Sequence, residues 1–220
     1  MRIQHFLVLI LSLFLPFLAL SQEEEVDFGT LAQTYYLSPD AQIVDKCIEF
    51  LNHTNLPAPN LQPLLIGFWG ALFEKDLSKK EEFASKRSQL EKVDFIELFA
   101  LLDTVAFDSI LGEIEVSPPY NDINWAAYFA SGNTDYLDNI LKNTPYDLER
   151  EDLNLFMTGF SAKWSLCSNA RQDKNVKAYL ESVEEGEKYP IAEILEKEPY
   201  EFREKAIQVV KEQREKGVWK

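Results

Sequence analysis

The stretch that decides the fold class is residues 122–141, DINWAAYFASGNTDYLDNIL, which predicts two helices joined by a tight turn. Its aromatic and apolar residues recur at a spacing of three to four in both arms, as one face of a helix requires. Gly132 and Asn133 tolerate the left-handed backbone conformation of a helix end, so they stop the first arm. Thr134 can cap the second arm. The sequence therefore predicts a helical hairpin here.

Two further Trp-centred stretches resemble this hairpin, one around Trp69 and one around Trp164. Strand-like alternation is almost absent between turn residues. We therefore predict an all-α fold, an array or bundle of about 7–8 helices arranged as αα-hairpins. The Trp residues lie 56 and 39 positions apart, an irregular period. An irregular α-solenoid and an irregular bundle both remain open, because hairpins of either kind bury their faces against each other.

Residues 1–21 have the features of a signal peptide. One arginine precedes a fifteen-residue apolar run, and small residues at positions 19 and 21 fit a signal-peptidase site. Fifteen residues fall short of the ~20 that span a bilayer. We therefore expect cleavage before Gln22 and an exported protein, periplasmic or extracellular, without stable membrane insertion afterwards. Residues 22–37 then predict a mobile acidic tail, and residues 38–220 a single all-α domain with a possible bend at 117–120.

Helix boundaries follow from capping residues and prolines. Ser38-Pro39 predicts the first helix start, and the spacings Ser78…Glu81 and Asp94…Glu97 predict capping boxes. The run after Asp94 predicts one amphipathic helix reaching residue 110, and a long helix is predicted over 148–170. The segment 64–73 is apolar nearly all round, which predicts a central buried helix with glycines that permit close contact.

The chain is strongly acidic, with 22 Lys and Arg against 37 Asp and Glu and a formal charge of −15. Removing residues 1–21, which contain one basic and no acidic residue, leaves a charge of −16. Such a field repels nucleic acid and anionic membrane surfaces, so neither is expected as a partner. A protein or peptide partner is the expectation that remains.

Two stretches, residues 62–69 (QPLLIGFW) and residues 160–171 (FSAKWSLCSNAR), together with the central hairpin, resemble a family of small exported helical bacterial proteins. The resemblance rests on core-packing residues in the middle and later parts of the chain. It implies an all-helical fold and an exported location, and it assigns no site residues.

Catalytic apparatus is scarce in this sequence. His53 would be the only histidine after signal cleavage, and its polar surroundings at a helix end favour a structural role over that of a catalytic base. No phosphate-cradling or dinucleotide-binding glycine motif occurs, and Gly159-Phe-Ser161 lacks the second glycine of a nucleophile elbow. Asp173-Lys-Asn175 lacks the other ligands of a calcium loop. We assign no catalytic, cofactor or metal residues.

Carboxylates are the one catalytic group available in quantity, and Glu97, Glu113 and Glu115 flank apolar helices. A single buried carboxyl could serve as general acid in a glycan hydrolase. In the polar connection after residue 168, Asn169 and Arg171 can either tie helix ends together or bind a ligand, and tying is the favoured interpretation.

Two questions concern cysteine and asparagine chemistry. Cys47 and Cys167 lie on apolar helix faces without metal-ligand spacing, so they are either two small core residues or a disulfide. Asn52-His53-Thr54 is a glycosylation sequon, relevant only in a eukaryotic source. The sequence leaves both matters open.

Three functions remain possible on the sequence alone. The favoured one is a secreted or periplasmic helical protein-interaction module with no catalytic activity of its own, because helical hairpins form grooved surfaces and catalytic motifs are missing. The alternatives are a carboxylate-dependent hydrolase of a cell-envelope glycan and a carrier of an apolar ligand. An isolated buried carboxyl in a cleft, or a closed apolar cavity, would favour these alternatives.

Overall fold

A computed structural model describes residues 28–183 and 189–219, and these form twelve α-helices, two short 3₁₀ helices and no β-strand. The all-α prediction is confirmed, with more helices than the 7–8 expected. In chain order the α-helices are α1 (Phe28–Thr34), α2 (Ile43–His53), α3 (Ala58–Lys75), α4 (Leu77–Lys86), α5 (Val93–Thr104), α6 (Phe107–Glu113), α7 (Pro118–Ser131), α8 (Asp135–Asn143), α9 (Leu153–Gln172), α10 (Lys174–Ser182), α11 (Ile191–Glu196) and α12 (Pro199–Glu215). The 3₁₀ helices are Arg87–Gln89 and Thr144–Leu148.

The helices α3 and α7 form the centre of the fold. A Cβ atom on Gly67 of α3 would lie 2.1 Å from the carbonyl oxygen of Ile123 in α7, so the two backbones touch where the side chain is missing. Farther along α3, Gly70 leaves room for the ring of Phe107. The predicted central buried helix and its two close glycine contacts are therefore confirmed. Helix α7 also packs against α1, α8 and α9.

The hairpin predicted from residues 122–141 is formed by α7 and α8. Gly132 has a left-handed φ of +73° at the end of α7. Thr134 makes no side-chain cap; instead Asn133 Oδ1 accepts the backbone N–H of Asp135 at 3.0 Å. Trp125 is buried and stacks on Phe129, with ring centroids 5.5 Å apart. The turn residues thus act as predicted, except that the cap lies one residue earlier.

Buried polar side chains fix how the hairpin sits on α9. Asn143 Nδ2 of α8 donates to Asn121 Oδ1 of α7 at 2.7 Å, and Asn121 Nδ2 donates to the carbonyl oxygen of Thr158 in α9 at 2.9 Å. Trp125 Nε1 donates to Ser165 Oγ at 2.9 Å. Because unpaired polar groups are costly in a core, these bonds select one arrangement of the three helices.

The described arrangement is a bundle. In a solenoid each repeat contacts only its neighbours, whereas here α1 and α3 both pack on α7, far along the chain. One hydrophobic cluster includes Phe28 near the start and Phe202 in α12, so it continues across the possible bend at 117–120. A second, smaller cluster joins α9 to α12 through Phe156, Ala206 and Trp219.

The prediction of a mobile tail over 22–37 is wrong for the residues that the structure describes. Residues from 28 onward form α1, where Phe28 is fully buried and stacks on Phe50 with ring centroids 5.4 Å apart. The backbone N–H of Tyr36 donates to the carbonyl oxygen of Phe129 at 2.9 Å, so the end of the segment is tied to α7. Residues 22–27 and the predicted signal peptide, residues 1–21, lie outside the described residues.

Several helix boundaries also differ from those predicted. The first start, predicted at Ser38-Pro39, is too early, since α2 begins at Ile43, four residues after Pro39. No side chain caps the start of α5, so the capping box at Asp94 is wrong. The helix predicted to reach residue 110 breaks after Thr104, and the one predicted over 148–170 runs over 153–172 instead.

The cap of α4 comes from Asp76, whose Oδ1 accepts the N–H groups of Ser78 and Lys79 at 3.0 and 3.4 Å. This replaces the box predicted at Ser78…Glu81. In the last helix, Glu201 Oε1 accepts the N–H of Glu198 at 2.8 Å, a cap that the sequence analysis missed.

Candidate functional site

His53 lies at the C-terminal end of α2, exposed, with Nδ1 2.8 Å from the carbonyl oxygen of Glu49 in the same helix. The helix-end position predicted for it is confirmed. Its neighbour Asn52 bridges to another segment, because Nδ2 donates to the carbonyl oxygen of Gln89 at 2.9 Å and Oδ1 accepts the N–H of Glu91 at 3.0 Å. A glycan on Asn52 would be attached to the Nδ2 atom that makes the first of these bonds.

The two cysteines are free and buried, so no disulfide joins them in the structure. Burial raises the pKa of both thiols, which keeps them protonated and unreactive. The indole of Trp69 lies against Cys47, but its N–H has no hydrogen-bond acceptor of ordinary geometry among the described residues. Cys167 Sγ donates to the carbonyl oxygen of Lys197 at 3.1 Å. Both cysteines act as small core residues.

Arg171 ties helices together, as the favoured interpretation predicted. Its Nη2 donates to Glu198 Oε1 at 3.1 Å and to the carbonyl oxygen of Lys197, at the junction of α11 and α12. Asn169 does not reach another helix, since its Nδ2 donates to the carbonyl oxygen of Ser165 one turn earlier in α9. Neither side chain is free to bind a ligand through these donors.

The remaining candidate residues from the sequence are exposed carboxylates or a helix cap. Glu97, Glu113 and Glu115 are exposed. Asp173 caps α10 by accepting the N–H of Asn175 at 2.8 Å, and its other oxygen accepts from the hydroxyl of Tyr36. No three His, Cys, Asp or Glu side chains of residues 28–183 and 189–219 are grouped so that they could hold a metal ion.

A buried ion cluster lies between α9, α11, α12 and the second 3₁₀ helix. Lys163 Nζ donates to Asp147 Oδ2 at 2.7 Å and to Glu193 Oε2 at 2.9 Å. Lys205 lies 3.3 Å from the same Asp147 oxygen, and Lys197 lies 2.9 Å from Glu193. Gly159 makes the contact possible, because a Cβ there would lie 2.0 Å from the backbone nitrogen of Asp147.

The electrostatics of the cluster favour charged groups. Burial alone would raise the pKa of Glu193, but hydrogen bonds from Lys197 and Lys163 outweigh it and lower that pKa to about 2. Asp147 Oδ1 is buried and has no hydrogen-bond partner among the described residues. The sequence analysis did not find this cluster, although a lysine on the apolar face of α9 was a signal for it. The cluster joins four segments, and none of its residues lines the hollow described below, which indicates a structural role.

Asp122 is the most perturbed isolated carboxyl of the described chain. Burial raises its pKa to about 7, although part of the residue remains accessible to solvent. Its side chain makes no hydrogen bond or ion pair within the described residues. A protonated carboxyl at neutral pH could act as a general acid. Asp122 does not line the hollow described next, however.

An open hollow lies between the end of α3, the start of α4 and the junction of α5 with α6; we call it the α4–α5 hollow. Its volume is about 250 Å³ and it is half open to solvent. Buried Phe73, Leu102 and Phe107 contribute to its lining. At the rim, Leu77 is 68 % exposed and Val105 is 36 % exposed. No pattern in the sequence indicates this hollow, because residues 104–106 of its lining lie at the unpredicted break after α5.

A further exposed apolar side chain lies in the last part of α5. Leu101 is 43 % exposed and lies four residues before Val105, which is at the rim. Val105 directly follows the last residue of α5, and its backbone N–H donates to the carbonyl oxygen of Leu101 at 2.9 Å. Exposed apolar groups arranged around a concave surface are typical of binding sites, whereas scattered ones are normal on any protein.

Comparison with known proteins gave no match to a family model, a curated protein or a solved structure. Within the described part of the chain, no helix combines the length and apolar character that crossing a membrane requires. The hollow and its rim are therefore the observations on which a functional proposal rests.

Proposed function

We propose that this protein is a helical protein-interaction module that binds a peptide segment of a partner in the α4–α5 hollow. The observation that carries the proposal is the combination of a half-open apolar hollow with Leu77, Leu101 and Val105 exposed around it. Buried aromatic floor residues give a partner's apolar side chain a dry surface, which is how interface anchors contribute most of their binding energy.

The size and openness of the hollow favour a peptide over a small molecule. Pockets for drug-sized ligands have volumes of roughly 300–1,000 Å³ and enclose most of the ligand. The 250 Å³ here suits one or two apolar side chains, and the half-open shape leaves the rest of the ligand outside. A peptide helix with two leucines four residues apart could fill the hollow and cover Leu101 at the same time. A carrier of an apolar ligand would need a more enclosed site.

The features of residues 1–21 support an extension of the proposal, in which binding takes place outside the cytoplasm. A glycan hydrolase is less well supported, because Asp122, the one carboxyl with a raised pKa among residues 28–183 and 189–219, does not line the hollow. Exposed His53 offers no catalytic base in its place.

The test uses a defined probe, an acetylated and amidated peptide of about twelve residues with two leucines four apart, and a second peptide with alanines at those positions. Backbone amide spectra of the nitrogen-15-labelled protein are recorded during titration to about 5 mM. We expect the leucine peptide to shift amides of residues 70–80 and 101–107, and the alanine peptide to leave them unchanged.

Two variants locate the site. Ala106 is exposed and lines the hollow, so Ala106→Trp should fill it and abolish the shifts. Ser109→Trp places the same ring at an exposed position of α6 that does not line the hollow, and it should leave binding unchanged. Absence of binding, or equal binding of the leucine peptide to wild type and Ala106→Trp, would overturn the proposal.

A further inference from the structure

The charged groups around the α4–α5 hollow are not equivalent. Glu74 and Lys80 are the charged residues that line it, and Arg87 and Asp103 line a shallow extension next to Lys80. Glu74 Oε1 accepts the N–H of Phe107 at 2.8 Å, so this carboxylate is engaged at the start of α6. Arg87 lies 3.5 Å from Asp103, which pairs these two charges with each other.

Lys80 differs from the other lysines of α4. Lys79 Nζ lies 2.7 Å from Glu82, and Lys86 Nζ lies 2.6 Å from Asp45 and 2.9 Å from Glu82. Within residues 28–183 and 189–219, the ammonium of Lys80 has no hydrogen bond or ion pair. It is therefore the one charged lining group whose hydrogen-bonding capacity is entirely available to a ligand.

From this arrangement we infer that the partner segment carries a carboxylate side chain beside its apolar anchor, and that Lys80 selects it. The inference rests on the proposed function and names the chemistry of its partner as an acidic, apolar peptide. An aspartate or glutamate next to an anchored leucine would reach the rim, where it can accept from the ammonium of Lys80 while the leucine occupies the hollow.

The overall charge of −15 does not oppose this pairing at physiological ionic strength. Charges more than ~8 Å away are largely screened there, so groups in direct contact decide which peptide binds more tightly. Of the two nearby acids, Glu74 directs its Oε1 toward the backbone of residues 107 and 108, and Asp103 is paired with Arg87. The chain's net charge instead slows the approach of an acidic partner at low salt.

The experiment compares three versions of the leucine peptide, with glutamate, glutamine or lysine at the two positions that flank the first leucine. Dissociation constants are measured from the amide shifts at about 0.15 M salt. Because an exposed ion pair contributes little, we expect the glutamate peptide to bind about two- to five-fold more tightly than the glutamine peptide, and the lysine peptide to bind least tightly.

Lys80→Gln should remove the preference and bring the glutamate and glutamine peptides to equal affinity. Lys174→Gln is the matched control, since Lys174 is exposed on α10 and does not line the hollow; it should preserve the preference. Equal binding of all three peptides to the wild type would overturn this inference and leave the proposed function standing, as would a preference for lysine or one that survives in Lys80→Gln. If no leucine peptide binds, the proposed function itself fails, and this inference fails with it.

Discussion

Lys163 Nζ lies 2.7 Å from Asp147 Oδ2, and both side chains are only 6 % exposed. Lys163 lies in the middle of α9, and Asp147 lies in the 3₁₀ helix that precedes it. Taking two charges out of water is costly, and removal of either partner would leave the other charge buried and unpaired by this contact. The contact therefore adds a buried ion pair to the packing of Thr144–Leu148 on Gly159 of α9.

Lys163→Met should lower the free energy of unfolding by ~3–5 kcal/mol, because it leaves Asp147 buried with only the half-exposed Lys205 to balance it. Urea denaturation measures the loss. The control is Lys177→Met, which breaks a pair 3.6 Å long whose partners are both more than half exposed, and should cost ~0–0.5 kcal/mol. Equal losses in the two variants would show that the buried pair contributes no more to the free energy of unfolding than the exposed pair does.

Gly67→Ala should destabilise the protein by about 3 kcal/mol or more. The added Cβ would lie 2.1 Å from the carbonyl oxygen of Ile123. Relief of this clash requires the backbone of α3 or α7 to shift. Gly112→Ala is the opposite case, since no atom lies within 4 Å of its Cβ position, and it should stabilise α6 by ~0.5–1 kcal/mol. Thermal melts of the two variants should shift in opposite directions; a shift in the same direction would contradict the close approach of α3 and α7.

Trp125→Ala should cost ~3–5 kcal/mol, because the ring is buried and its removal leaves a large cavity beside Phe129. Ser165→Ala tests the polar edge of the same ring. It removes the acceptor of the indole N–H and should cost ~1–3 kcal/mol without creating a comparable cavity. Chemical denaturation gives both values. An unchanged stability of Trp125→Ala would mean that this side chain contributes to a binding surface rather than to the core.

Asp122→Asn should stabilise the protein at neutral and higher pH. Asp122 has a folded-state pKa of about 7 against an ordinary value of 3.8, so ionisation is penalised in the folded state. Its contribution to stability therefore decreases as the pH rises from about 4 to 7 and is constant outside that interval.

The asparagine variant does not ionise, so its advantage over the wild type should be near zero at pH 4. The advantage should reach roughly 1–3 kcal/mol at pH 8, a value reduced for the partial exposure of the residue. Unfolding free energies of both proteins across this range measure it. An advantage that is constant with pH would contradict a raised pKa for Asp122.

Local patterns predicted the helices best where one face is apolar and a turn residue has a specific conformation. The hairpin of α7 and α8 was predictable because glycine readily adopts a left-handed φ, and Gly132 adopts it in the structure. The break after Thr104 had no such signal. The residues beyond the break contact α3 instead: Phe107 packs against Gly70, and its backbone N–H donates to Glu74, so the contacts join residues far apart in the chain.

The functional candidates also differ in whether a local sequence pattern indicates them. Arg171 was recognised as a residue that ties helices together because it follows a strongly apolar run. Its partner Glu198 lies at the junction of α11 and α12. The partners of Lys163 lie 16 and 30 residues away, so spacing alone could not identify them. The α4–α5 hollow was not predictable either, since it forms between three segments whose relative positions depend on the packing of α3.

The close contact between Gly67 and Ile123 has a consequence for protein synthesis. Helix α3 is made well before α7, and at translation rates of ~5–20 residues per second the interval between these two residues lasts roughly 3–11 s. During that time the face of α3 that includes Gly67 lacks α7 as its partner, although the neighbouring Phe68 and Trp69 are among the largest side chains that are fully buried in the folded protein. The nascent protein thus presents its central helix to chaperones before it can complete its own core.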